Sequence, residues 1–171
     1  GDMGVFFLAL NSDLVFNMNG IKRKIKLKDF YKGYKQIDKA TDEILEKIIF
    51  TAPQTNNFNF EKVSKRTHLD IASVNSACSL IQTEDGVIQE IHISAGGVFA
   101  FPKYLQNTSD FLVGKKINAE NLKTAVEIMN AEIAPISDAR GTAGYKRLLL
   151  RQLFLAHFIK ETGPVKKLIG L

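Results

Sequence analysis

The stretch EKVSKRTHLDIASV, residues 61–74, sets three cations (Lys62, Lys65, Arg66), a histidine and an aspartate immediately before an apolar run. Residues of these types at this spacing permit two arrangements. Asp70 and Arg66 can form an ion pair that finishes the start of a strand. Alternatively, Lys62, Lys65 and Arg66 can line a cleft for a phosphate-bearing or otherwise electron-rich ligand, whose attraction to a cation grows as water is excluded. The residues by themselves leave both open.

Other chemistries find less support. The three histidines, His68, His92 and His157, fall in different segments with no ligand spacing, and Cys78 has no companion. No metal site is expected. His157 reads as a partly buried helix residue and His92 as a surface strand residue. No G-x-S-x-G, G-x-G-x-x-G or P-loop occurs, and Cys78 lies among small residues as an inert thiol would, so no catalytic residue is assigned. Lys22, Lys24, Lys26 and Lys28 form a stripe near Phe30, Tyr31 and Tyr34 that suits a phosphate backbone. A striped strand is also what any half-exposed hairpin presents, and that solvated reading outweighs nucleic acid.

The elements that would carry these residues follow from patterning. VFFLAL and DLVFNMNG read as strands. IKRKIKLK alternates, with Ile21, Arg23, Ile25 and Leu27 on one side and the lysines on the other. Asn19-Gly20 suits a tight turn, which makes residues 13–27 a hairpin. EKIIFTAP and FEKV read as short strands. Residues 71–81 and 87–94 flank TEDG as a second hairpin, with Val87, Ile91 and Ile93 inward and His92 outward. Gly96 and Gly97 end it, where backbone bends or approaches something closely. Asn118 is a helix N-cap, Glu120 suits the first turn, and Leu122, Ala125, Val126, Met129 and Ile133 recur at helical spacing. A second helix is expected over 143–161, stopped by Gly163 and Pro164. Leu122, Val126, Met129, Leu149, Leu153 and Phe154 should cover the sheet. Strands followed by helices predict an α+β fold, an antiparallel sheet with helices packed on one face.

The bulk properties agree with an ordinary globular chain. It has 171 residues, 45% hydrophobic and 24% charged, with net charge +5 and a pI near 9.3. No apolar run reaches membrane-spanning length. GDMGVFFLAL lacks the basic leader of a secretory signal, and a lone cysteine makes a cytoplasmic setting the expectation.

Three longer segments carry a family resemblance: FEKVSKRTHLDIASVNSACSLI, IHISAGGVFAFP and PISDARGTAGYKRLLLRQL. Together, and in this order, they resemble the FAD-binding subunit of the xanthine dehydrogenase and carbon monoxide dehydrogenase family of molybdenum hydroxylases. The resemblance covers the C-terminal half of that subunit. It implies that residues 1–54 are the end of the FAD-binding domain, 55–163 the C-terminal domain and 164–171 a tail. The glycine-rich pyrophosphate loops of the family are not within this sequence.

The resemblance further implies FAD as cofactor, molybdopterin and 2Fe–2S subunits or domains as partners, and NAD as electron acceptor. Asp2 matches an acidic residue that reaches the ribityl or ribose hydroxyls. Leu45 matches a position whose backbone meets the isoalloxazine edge, and Lys62 lies in the stretch alongside the ring. Lys65, Arg66 and Asp70 match a charged segment where the nicotinamide nucleotide approaches. His68 and Leu69 stand where some members are acidic. A non-catalytic subunit-docking module and a basic nucleic-acid-binding domain are the alternatives.

Overall fold

The computed structural model describes residues 1–53, 58–66 and 68–159. In chain order they form α1 (Asp2–Ala9), β1 (Asp13–Met18), β2 (Ile21–Lys26), β3 (Tyr31–Gly33), β4 (Gln36–Ile37), β5 (Ile44–Ile49), β6 (Phe58–Val63), β7 (Val74–Gln82), β8 (Ile88–Gly96), β9 (Lys103–Tyr104), α2 (Gln106–Leu112), α3 (Ala119–Glu132) and α4 (Ala143–Ala156). The strands make antiparallel sheets ordered β2-β1-β5, β3-β4 and β6-β7-β8-β9. The α+β expectation holds. No helix among the described residues is long and apolar enough to cross a membrane.

The first strand expected from the sequence is instead a helix. VFFLAL lies in α1, with Val5, Leu8 and Ala9 buried. An unbroken apolar run has no polar face to reveal its period, so helix and buried strand look alike in sequence. The helix is retained because the main sheet offers a bed for it. Val5 and Ala9 pack with Ala77, Phe58 and Phe60, and Ser94 Oγ donates to Val5 O at 2.7 Å.

The β1–β2 hairpin forms as expected, turning at Asn19 and Gly20, both with positive φ. Its lysines are engaged with neighbouring carboxylates. Lys22 pairs with Glu46 at 2.9 Å, while Lys24 and Lys26 share Asp13 at 2.9 and 3.1 Å. Arg23 takes Glu43 through Nε at 2.8 Å and Nη2 at 2.7 Å, which holds the Glu43 carboxyl down at about 2. This pattern fits the solvated-face reading. Ile21, expected on the covered side, is exposed at the hairpin tip.

The second hairpin starts later than expected, at Val74 rather than residue 71. Pairings Ile81↔Glu90 and Gln82↔Ile88 leave Gln89 as an extra residue. That bulge reverses the side-chain parity, so Ile88 is buried and Val87 only half-buried. The main sheet is covered by helices on both faces rather than on the one face expected. Val74, Cys78, Ile91 and Ile93 pack with α3 and α4, whereas Ala77 packs with α1. Double coverage explains the small residues of VNSACS, since neither side of β7 has to be polar.

The two long helices obey their sequence signals. Asn118 Oδ1 accepts from Asn121 N at 2.8 Å, and Thr142 Oγ1 caps α4 by accepting from Tyr145 N at 3.2 Å. Leu122, Met129, Leu153 and Phe154 are buried as expected. Leu150 takes the fully buried place, and Leu149 and Val126 are partly covered. α4 ends at Ala156, and the expected stop at Gly163 and Pro164 lies outside the described residues.

His92 and His157 depart from expectation. His92 is 16% exposed in its side chain, with Nδ1 2.6 Å from the Tyr104 hydroxyl and Nε2 2.7 Å from Glu90. Pairing of β9 beyond β8 makes β8 an interior strand and brings Tyr104 over the ring. His157, expected to be partly buried, is buried at the end of α4 with 9% of its surface left exposed.

Candidate functional site

Three neighbouring strand positions, Lys62 on β6, Asn75 on β7 and Gly96 on β8, pair across the sheet at one end of α1. Gly96 matters here because it lacks a Cβ. The Asn75 side-chain oxygen occupies the place a methyl group would take. The Asn75 amide therefore lies across the glycine and donates through Nδ2 to Asp2 Oδ1 at 2.7 Å. Lys62 Nζ donates to the other Asp2 oxygen at 2.8 Å and to the Asp70 carbonyl at 2.7 Å. One ammonium thus links the start of α1, strand β6 and the loop that follows it.

That loop carries the remaining charges. Asp70 accepts from Arg66 N at 2.9 Å and from its neighbour Ile71 N at 2.9 Å. The Arg66 backbone N–H, ahead of any full charge, holds the Asp70 carboxyl below its ordinary value. The Arg66 guanidinium is 73% exposed, 3.6 Å from Asp70 and 3.3 Å from Leu69 O. Lys65 Nζ donates to Ala139 O at 2.6 Å. Leu69 has φ +50 and a side chain that is 99% exposed.

The structure brings Asp2, Lys62 and Asp70 together and keeps Lys65 and Arg66 on the same loop. Leu45 lies on β5 in the other sheet, paired with Phe16 and partly exposed. Of the two arrangements read from the sequence, the contact between Asp70 and Arg66 is present, with Asp70 organising the loop, while the Arg66 guanidinium stays open to solvent. Asn75 carried no chemical signal in the sequence. Arg140, whose Nη1 donates to Ile71 O at 3.1 Å, stands in the sequence only as one residue of the PISDARGTAGYKRLLLRQL segment.

Chemically, this end of the molecule offers an accessible cation beside the exposed apolar side chains of Leu69 and Ile71. Such a combination suits a flat aromatic ligand that gains negative charge, as a flavin ring does on reduction. The pyrophosphate of FAD would need backbone N–H groups from glycine-rich turns, which this loop does not contain.

Residues 60–162, more than half of the chain, match the family model described as CO dehydrogenase flavoprotein C-terminal domain. The chain belongs to this family. Among relatives of this C-terminal domain, xanthine dehydrogenase 1 from Arabidopsis thaliana is 27% identical over 166 residues, covering 92% of this chain and 12% of that protein. The glyceraldehyde dehydrogenase medium chain from Sulfolobus acidocaldarius is 28% identical over 158 residues, covering 92% of this chain and 55% of the other. Reconstituted CO dehydrogenase from Oligotropha carboxidovorans shares the fold, with TM-score 0.80, 24% identity, and coverage of 89% of this chain and 53% of that one. The chain therefore spans about half the length of its medium-chain relative and a small part of the xanthine dehydrogenases.

Proposed function

We propose that this chain is the C-terminal part of the FAD subunit of a xanthine dehydrogenase-like molybdenum hydroxylase. Its sequence segments divide as 1–54, the end of the FAD-binding domain, 55–163, the C-terminal domain, and 164–171, a tail. The observation that carries the reading is the family match through residues 60–162, which includes the whole Lys62–Asp70 segment. In such an enzyme FAD takes electrons arriving from 2Fe–2S clusters and passes them to an acceptor such as NAD.

The chain's own residues have the following parts in this reading. Asp2, fixed by Lys62 and Asn75, presents a carboxylate to the sugar or ribityl hydroxyls. Lys62 and the backbone at Leu45 border the ring. Lys65, Arg66 and Asp70 form its charged rim on the acceptor side, where Arg66 stabilises negative charge on the reduced ring. Partners are the molybdopterin and 2Fe–2S subunits or domains, and the setting is cytoplasmic.

The test is the complete subunit, purified with its own FAD-binding segment upstream. Stoichiometric flavin that is reduced when the assembled complex receives substrate is the expected result. A complete subunit that folds but neither retains FAD nor accepts it on reconstitution would overturn the proposal.

A further inference from the structure

We propose that Arg140 is a positioning residue that holds the 64–71 loop in place for the flavin; this rests on the functional reading above. The described residues of this loop have no regular secondary structure, yet both its ends are tied to a second loop, 136–141, just before α4. At one end Lys65 Nζ reaches Ala139 O at 2.6 Å. At the other, Arg140 Nη1 donates to Ile71 O at 3.1 Å.

A strut is useful only if its base is rigid, and this base is. Lys146 on α4 is 3% exposed in its side chain and donates to Asp138 Oδ2 at 2.7 Å and to Ile136 O at 3.0 Å. The other Asp138 oxygen accepts from Arg140 N at 2.8 Å. Asp138 and Gly141 exchange backbone hydrogen bonds, Asp138 N to Gly141 O at 3.0 Å and Gly141 N to Asp138 O at 3.1 Å. The Tyr145 ring lies where a side chain on residue 141 would project, which keeps that turn closed. A continuous series of contacts thus runs from the buried ammonium of Lys146, through Asp138 and Arg140, to the carbonyl of Ile71. From there it meets Asp70, whose carboxylate fixes the backbone of Arg66. Arg140 does not border the ring in this arrangement. It acts through Ile71, Asp70 and Arg66.

The experiment uses the complete FAD subunit and the Arg140→Ala and Arg140→Lys variants. Hydrogen–deuterium exchange is read on peptides covering the Arg66 and Ile71 amides, both of which donate to Asp70. Arg140→Ala should raise exchange there about tenfold, the equivalent of one charge-assisted hydrogen bond, and leave β7 and β8 unchanged. In the assembled complex the same variant should alter the rate of flavin reoxidation by NAD at least about threefold, while reduction by substrate stays the same. Arg140→Lys keeps one donor that can reach a carbonyl and should restore most of both.

Unchanged exchange at Arg66 and Ile71 overturns the proposal. Faster exchange with unchanged reoxidation overturns it as well, leaving Arg140 as a purely structural link. A complete subunit without flavin overturns the functional reading and with it the flavin half of this proposal. The exchange result still decides whether Arg140 holds the loop.

Discussion

The imidazole of His157 lies 2.9 Å from Ser76 Oγ through Nε2, while its Nδ1 lies 2.6 Å from Asn59 Oδ1. One ring therefore ties the end of α4 to both β6 and β7. Burial pushes its pKa down from 6.5 to about 3, so it stays neutral in the fold. An unfolded chain binds a proton below about pH 6.5 that the folded chain refuses. The His157 contribution is thus complete above the unfolded value and is lost as pH falls from there towards about 3.

His157→Gln should accordingly show two effects in urea unfolding. Stability near neutral pH falls by roughly 1–3 kcal/mol, because buried partners lose their hydrogen bonds. The decline in stability on acidification below about pH 6.5 becomes shallower than in the parent protein. An unchanged slope would show that His157 is not the group that titrates.

Gly97 has φ +81, and a methyl group there would strike the Ser73 carbonyl oxygen. Backbone cannot retreat easily here, where the chain entering β7 lies against the chain leaving β8. Gly97→Ala should cost roughly 2–4 kcal/mol from the unfavourable φ and the clash combined. Thermal melting of the variant beside the parent measures it.

Arg66 combines an exposed guanidinium with a loose, 3.6 Å approach to Asp70. In the complete subunit, Arg66→Ala should leave the melting temperature within about 1–2 °C, as exposed ion pairs contribute little. On the proposed placement of Arg66 beside the ring, removing this cation should instead lower the flavin's reduction potential by about 10–30 mV after solvent screening. Spectroelectrochemical titration gives the answer; equal potentials would make the Arg66–Asp70 contact simply a loop fastening.

FAD should bind the 171-residue chain weakly, with a dissociation constant above about 100 µM. Side-chain cations at Lys62, Lys65 and Arg66 do not reproduce the backbone N–H array that holds a pyrophosphate. Isothermal titration calorimetry tests this directly, and micromolar affinity would contradict it.

Much of the main fold was legible locally. Alternation around Asn19-Gly20 and around TEDG marked both hairpins, and Asn118 with its helical spacing marked α3. Two features escaped because they depend on distant partners. α1 is a helix by virtue of the sheet it lies on, and the small residues of β7 make sense only once both faces are covered. The site divides in the same way. Charge and family resemblance singled out Asp2, Lys62, Lys65, Arg66 and Asp70, and also Leu45, which lies apart from them on β5. The route of the Asn75 amide over Gly96, and the reach of Arg140 to Ile71, join positions separated by many residues and leave no periodic trace.

The seating of α1 has one more consequence. Val5 and Ala9 complete a core whose other members, Phe58, Phe60 and Ala77, come from beyond residue 54, and Asp2 is fastened to Lys62 and Asn75. A nick in the backbone between β5 and β6 would therefore leave two fragments with matching halves of one interior. Produced separately and mixed, they should recombine, each acting as the missing template for the other.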